Sequence, residues 1–172
     1  VQRVLAESKY SERVNECQLA LKVINASNEK NIKIYELKKY HLKQLKDYPT
    51  LYKRIHHIIS ENNRVMLMKQ ALENRDLDLI GVILNESHVS LSKDYQVSCD
   101  EIDAIIQISR KQKGFYGGRI MGGGFGGCCI CLVKNSQKSI FIENLVSEFN
   151  QQFNYDLKVE NVNFASGITL VN

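Results

Sequence analysis

The sequence predicts an α+β domain, and three observations carry that prediction. The first half holds long stretches whose apolar residues recur every three to four positions, the spacing of a helix face turned to a core. The second half threads another helical stretch among short apolar runs that read as strands. Between the two lies a glycine cluster: seven of the ten glycines fall between residues 117 and 127.

Residues 1–5 read as the end of a strand that belongs to an N-terminal domain preceding this chain. From residue 11 a helix is expected, with Val14, Cys17, Leu21 and Ile24 along one face. The polar stretch 25–31 ends it, and a short helix is expected over 35–45. Pro49, the only proline, suits the first turn of the next helix, where its missing N–H costs nothing. That helix shows Leu51, Ile55, Ile58 and Ile59, then Met66 and Leu72, as one core-facing stripe. Residues 76–88 give another helix through Leu77, Ile80 and Leu84. Ser98 and Glu101 are spaced as a capping box, which opens a helix carrying Ile102, Ile105 and Ile106. A helical pattern thus precedes the glycine cluster, and the apolar run from Cys128 to Val133 reads as a buried strand leaving it. A turn at 134–136 leads to a helix over 136–153, anchored by Phe141, Leu145, Phe149 and Phe153. Residues 157–159 and 162–170 are expected to finish as strands, with Gly167 a bulge.

A chain of 172 residues suits one domain with a proper core. Its 44% hydrophobic and 24% charged content is that of an ordinary globular protein. The net charge of +4 arises from lysines scattered over several segments, and the densest group, Lys38, Lys39, Lys43 and Lys46, reads as a solvated face. No nucleic-acid signature accompanies it. Cys128, Cys129 and Cys131 lie too close on one strand to wrap a metal, and the CxxC spacing of Cys128 and Cys131 has no second pair to complete a zinc site. They read as small buried hydrophobes, and the odd count of five fits a reducing cytosol. No apolar run approaches transmembrane length. The first residue is Val1 rather than Met, and the reading here is of the C-terminal part of a longer protein.

The glycine cluster meets the letters of a dinucleotide fingerprint at Gly122, Gly124 and Gly127. That fingerprint needs a strand before and a helix after, so that the helix N-terminus meets the pyrophosphate. Here the expected order is reversed, and the reading fails on context. A Walker-type loop fails too, because Cys128 stands where Lys would follow the last glycine. Spacing alone is equally compatible with a glycine-rich turn that holds no ligand.

The run YGGRIMGGGFGGCCICLV resembles the third conserved motif of the GHMP small-molecule kinases, in its galactokinase form. Upstream, ESHVSLSKDYQVSCDEIDAI is similar to the galactokinase segment that precedes it. Tyr10, Arg13 and Cys17 resemble the tyrosine-arginine-cysteine stretch at the galactokinase domain junction. Met121 departs from the pattern, standing where these kinases usually carry a small hydroxyl residue. The resemblance implies a C-terminal kinase domain over residues 11–172, with residues 1–10 closing the N-terminal domain and forming the junction. It implies helices packed on one face of a small antiparallel sheet, with a ferredoxin-like arrangement. It implies a cytoplasmic enzyme phosphorylating D-galactose to galactose 1-phosphate. ATP and Mg2+ would be bound mainly by an N-terminal domain of the same protein, which also supplies the catalytic base and main phosphate loop. This chain would place Tyr10 at the sugar and Gly122, Gly123, Gly124, Phe125, Gly126 and Gly127 beside the phosphates, with no catalytic residue and no metal ligand of its own. An N-acetylgalactosamine kinase and a galactokinase-like sugar sensor are the alternatives within the resemblance. Arg13 is expected to be a structural ion-pair partner, and His88 a satisfied capping or core residue. His56 and His57 are expected on a helix surface and in packing. Asp100, Glu101 and Asp103 are expected in the helix cap.

Overall fold

The computed structural model describes residues 6–26, 31–154 and 156–163. Among these residues, five α-helices accompany a two-stranded antiparallel sheet. Helix α1 (Ala6–Ala26) begins earlier than the pattern suggests. It turns Arg13, Cys17, Ala20 and Ile24 inward. The expected short helix resolves into two 3-10 turns, Ile34–Glu36 and Lys39–Leu45. Each is started by a side chain reaching back: Lys33 N–H donates to Glu36 Oε2 at 2.8 Å, and Lys38 N–H to His41 Nδ1 at 2.9 Å. Pro49 does open α2 (Pro49–Glu73). The apolar stripe of α2 holds at Leu51, Ile55 and Ile59, which pack with Ala20, Ile24, Leu42 and Leu45. It fails beyond them, because Met66 and Leu72 face solvent.

Helix α3 (Leu77–Lys93) is capped by Asp76, whose side chain accepts the Leu79 N–H at 2.9 Å. Helix α4 (Asp100–Arg110) carries three carboxylates in its first turn and an arginine in its last, as the helix dipole favours. The Ser98–Glu101 capping box does not form. Cys99 is the N-cap without a side-chain hydrogen bond, and the buried Ser98 hydroxyl makes none either.

The main correction lies before the glycine cluster. A strand, β1 (Phe115–Ile120), precedes it directly, and β2 (Cys129–Val133) follows. The register pairs Ile120 with Cys129 and Gly118 with Cys131. Two glycines hide β1 in the sequence, since glycine is a poor strand former. Their purpose is proximity. A Cβ on Gly117 would stand 2.0 Å from the Gly81 carbonyl oxygen of α3, and one on Gly81 would stand 2.3 Å from the Tyr116 carbonyl oxygen. Helix and strand therefore touch backbone to backbone.

Helix α5 (Lys138–Gln152) follows a short 3-10 turn and buries Phe141, Leu145 and Phe149 against Ile102, Ile105 and Ile108 of α4. Residues 157–163 form no strand, contrary to expectation. The strand expected over residues 1–5, Gly167 and the rest of the final strand lie outside the described residues. The α+β class with a small antiparallel sheet stands. No helix among the described residues is long and apolar enough to cross a membrane.

Candidate functional site

The glycine cluster is the loop of the β1–β2 hairpin, closed by the Met121 N–H donating to the Cys128 carbonyl at 2.9 Å. Strands on both sides dispose of the dinucleotide reading, which needs a helix after the loop. The loop divides in two. Met121, Gly122 and Gly123 form an exposed rim, whereas Gly124, Phe125 and Gly126 are buried at its base. A Cβ at Gly123 would meet nothing within 4 Å. One at Gly124 would stand 2.4 Å from the Val97 carbonyl oxygen, and Gly124 has φ +81°. Gly124 is thus required by the fold itself, both for its left-handed backbone and for its closeness to Val97. Phe125 is also left-handed, with φ +59°. Its buried ring joins the core of α4 and α5, and its N–H donates to the Val97 carbonyl at 2.6 Å.

Residues 94–97 link this base to α1 and α2. Arg54, 1% exposed, is the pin. Its guanidinium donates to Glu16 Oε2 of α1 at 2.6 Å, to Gln96 Oε1 at 2.7 Å and to the Asp94 carbonyl. A buried guanidinium is tolerable only with such paired, hydrogen-bonded partners. No pattern in the sequence marks Arg54, which sits among other polar residues on a long helix. Tyr95 stacks on His57 with ring centroids 4.5 Å apart, and its hydroxyl lies 3.9 Å from the Cys17 sulfur. Burial pushes the Tyr95 phenol up to about 12, helped by the neighbouring Cys17.

Tyr10 projects from α1 with 57% of its surface exposed, close enough to Tyr95 to act on its charge. One residue earlier, the Lys9 ammonium stands 5.8 Å from the centre of the Phe125 ring. The start of α1 and the glycine loop therefore share one side of the molecule, joined through residues 95–97. Two surface hollows, of about 380 and 560 Å³, lie elsewhere along α2–α3 and beside the Lys39–Leu45 turn. Neither is lined by Tyr10 or the glycine loop. That side presents Tyr10 and the rim residues Met121, Gly122 and Gly123 to solvent.

The expected structural residues behave as such. Arg13 is buried and pairs with Glu12 and Glu16. His56 is half-exposed beside Asp94. His57 is buried and bonded to the Ser90 hydroxyl at 2.9 Å. Ser90 in turn donates to Asp94, so the carboxylate holds the serine rather than orienting the histidine. This is not the order of a nucleophile relay, in which the acid orients the base. His88 is a satisfied core residue between Asp103 and the backbone of Ile120. Burial pushes the Asp103 carboxyl up, but the neighbouring His88, Ser98 and Ser92 side chains outweigh it and hold it at about 2. Among the described residues, no group of three or more His, Cys, Asp or Glu could hold a metal ion.

Comparison with known proteins gives this geometry a context. The family model for the C-terminal part of GHMP kinases matches residues 68–151. The galactokinase of Clostridium acetobutylicum is 37% identical over 99% of this chain and 44% of its own length. That of Enterococcus faecalis is 37% identical over 89% of this chain and 40% of its own length. The crystal structure of Lactococcus lactis galactokinase complexed with galactose superimposes with a TM-score of 0.82 at 34% identity, covering 91% of this chain and 41% of that one. The chain thus spans less than half the length of these relatives.

Proposed function

Because the chain belongs to the GHMP kinase family and carries its C-terminal domain, we propose that it forms one wall of the cleft in a galactokinase. In the complete protein, a hydroxyl oxygen of D-galactose attacks the γ-phosphorus of ATP. The bond from that phosphorus to the bridging oxygen of ADP breaks, and the hydroxyl proton passes to a base. Galactose 1-phosphate and ADP leave. Such transfer depends mainly on positioning and charge stabilisation. The observation that carries the reading is the likeness to galactokinases along nearly the whole chain, glycine loop included.

Each part of this wall has its own support. The rim at Gly122 and Gly123 presents bare backbone to open space, and left-handed backbone can turn N–H groups into an anion-binding concavity. The exposed phenol of Tyr10, on the same side, offers a hydroxyl to a sugar. Gly124, Phe125, Gly126 and Gly127 support the rim from below. The base and the main phosphate loop belong to an N-terminal portion of the kind its longer relatives possess. Mg2+, which the family resemblance implies, would be held mainly by that portion as well. The setting is a reducing cytoplasm.

The test replaces the corresponding C-terminal part of the Clostridium acetobutylicum galactokinase with this chain and measures sugar-dependent ADP formation. Turnover with galactose, and none from the 172-residue chain alone, is the expected result. A folded chimera that prefers N-acetylgalactosamine, or that binds galactose and ATP without turnover, rejects the proposal.

A further inference from the structure

Helix α3 runs along the edge of β1 that β2 leaves free, and two of its side chains take the place of a third strand. Asn85 Nδ2 donates to the Tyr116 carbonyl at 3.2 Å, and its Oδ1 accepts the Gly118 N–H at 3.4 Å. One helical turn later, His88 Nδ1 accepts the Ile120 N–H at 3.4 Å. Both Ile120 and His88 are buried, so no water relieves this donor if the histidine is lost. Ile120 is the last residue of β1, immediately before the loop.

The other face of the ring is fixed as well. His88 Nε2 lies 3.2 Å from Asp103 Oδ1 of α4, and Asp103 Oδ2 accepts the Ser92 hydroxyl at 2.7 Å. A neutral imidazole offers one donor and one acceptor. With an N–H aimed at Nδ1, the ring proton sits on Nε2, the nitrogen beside the Asp103 carboxylate. The carboxylate therefore selects the tautomer that can receive Ile120.

From this geometry we propose that His88, oriented by Asp103, is a positioning residue for the glycine loop. It anchors the strand end from which the rim at Gly122 and Gly123 springs, and so sets where that rim stands against the ATP phosphates. The second half of this statement rests on the kinase reading above, whereas the first does not.

Two substitutions separate the two sides of the ring. Asparagine places an oxygen near the position of Nδ1, so His88→Asn keeps the Ile120 bond and gives up Asp103. Glutamine reaches further, so His88→Gln keeps a donor for Asp103 and gives up Ile120. Backbone amide exchange of residues 120–127 in the 172-residue chain is measured beside its melting temperature, and ATP kinetics are measured in the galactokinase chimera. His88→Gln is expected to speed amide exchange in the loop about tenfold and to raise KM for ATP more than it lowers kcat. His88→Asn is expected to melt lower yet keep loop exchange and KM for ATP near those of the unsubstituted chain. If both variants change exchange only in proportion to their loss of melting temperature, His88 is a packing residue and the proposal is overturned. If His88→Gln leaves the loop exchange unchanged, the proposal is likewise overturned. Exchange requires no turnover. A loop that loosens in His88→Gln, in a protein with no galactose-dependent ADP formation, upholds the anchor and rejects the kinase.

Discussion

At the scale of single residues, the clearest consequence of burial is the charge state of His57. Removal from water lowers its pKa from 6.5 to about 4, and the carboxylates of Glu61 and Asp94 do not reverse this. The ring is therefore neutral in the folded chain, whereas an unfolded chain takes up a proton near pH 6.5. The associated stability is present above about pH 6.5 and is lost as pH falls through about 4, on the order of 2 kcal/mol. Asp103 adds a second, lower window. Its folded carboxyl at about 2, against 3.8 ordinarily, contributes about 1 kcal/mol that fades below pH 4. Melting temperature followed from pH 7 to pH 4 should fall, and His57→Gln should flatten that slope. An unchanged slope in the variant would assign the acid sensitivity to other groups. Residue identity made part of this legible beforehand. Arg13, His57 and His88 read as packed or paired residues and are so. Arg54 did not, because what distinguishes it is its position between α1 and residues 94–96, which no local pattern encodes.

At the scale of elements, the sequence was clearest where Pro49 opens α2 and where the apolar spacing is regular, along α4 and α5. It misled where a tertiary contact overrode propensity. Strand β1 contains two glycines that argue against a strand, yet they let α3 reach the strand backbone. The outward turn of Met66 and Leu72 is equally invisible to periodicity, since an apolar residue counts the same whether or not anything packs on it. The contact of α3 with β1 yields a prediction about stability. Gly81→Ala forces a methyl group into the Tyr116 carbonyl, and neither backbone can yield easily. A loss of about 2–3 kcal/mol is expected, the range of core overpacking. Gly123→Ala, with nothing near its Cβ, should cost well under 1 kcal/mol. Urea denaturation of the two variants gives the comparison, and equal midpoints would show that α3 is free to shift.

At the scale of the whole molecule, the fold arranges an open wall. Residues 94–97 tie α1 to the base of the glycine loop, α3 holds the edge of β1, and the rim at Gly122 and Gly123 carries no side chain to obstruct a ligand. The glycine run itself was visible in the sequence, but its division into a structural base and a bare rim was not, because both halves are written in the same letters. That division makes one measurement decisive. In the complete galactokinase chimera, Gly123→Val is compared with Gly124→Ala for melting temperature and ATP kinetics. Gly124→Ala should lower stability by about 1 kcal/mol or more through its left-handed backbone and the Val97 carbonyl. Gly123→Val should melt as the unsubstituted protein does, yet lose roughly a hundredfold in turnover by displacing the phosphates. Normal ATP kinetics in Gly123→Val would contradict a phosphate beside the rim and leave the loop a structural turn.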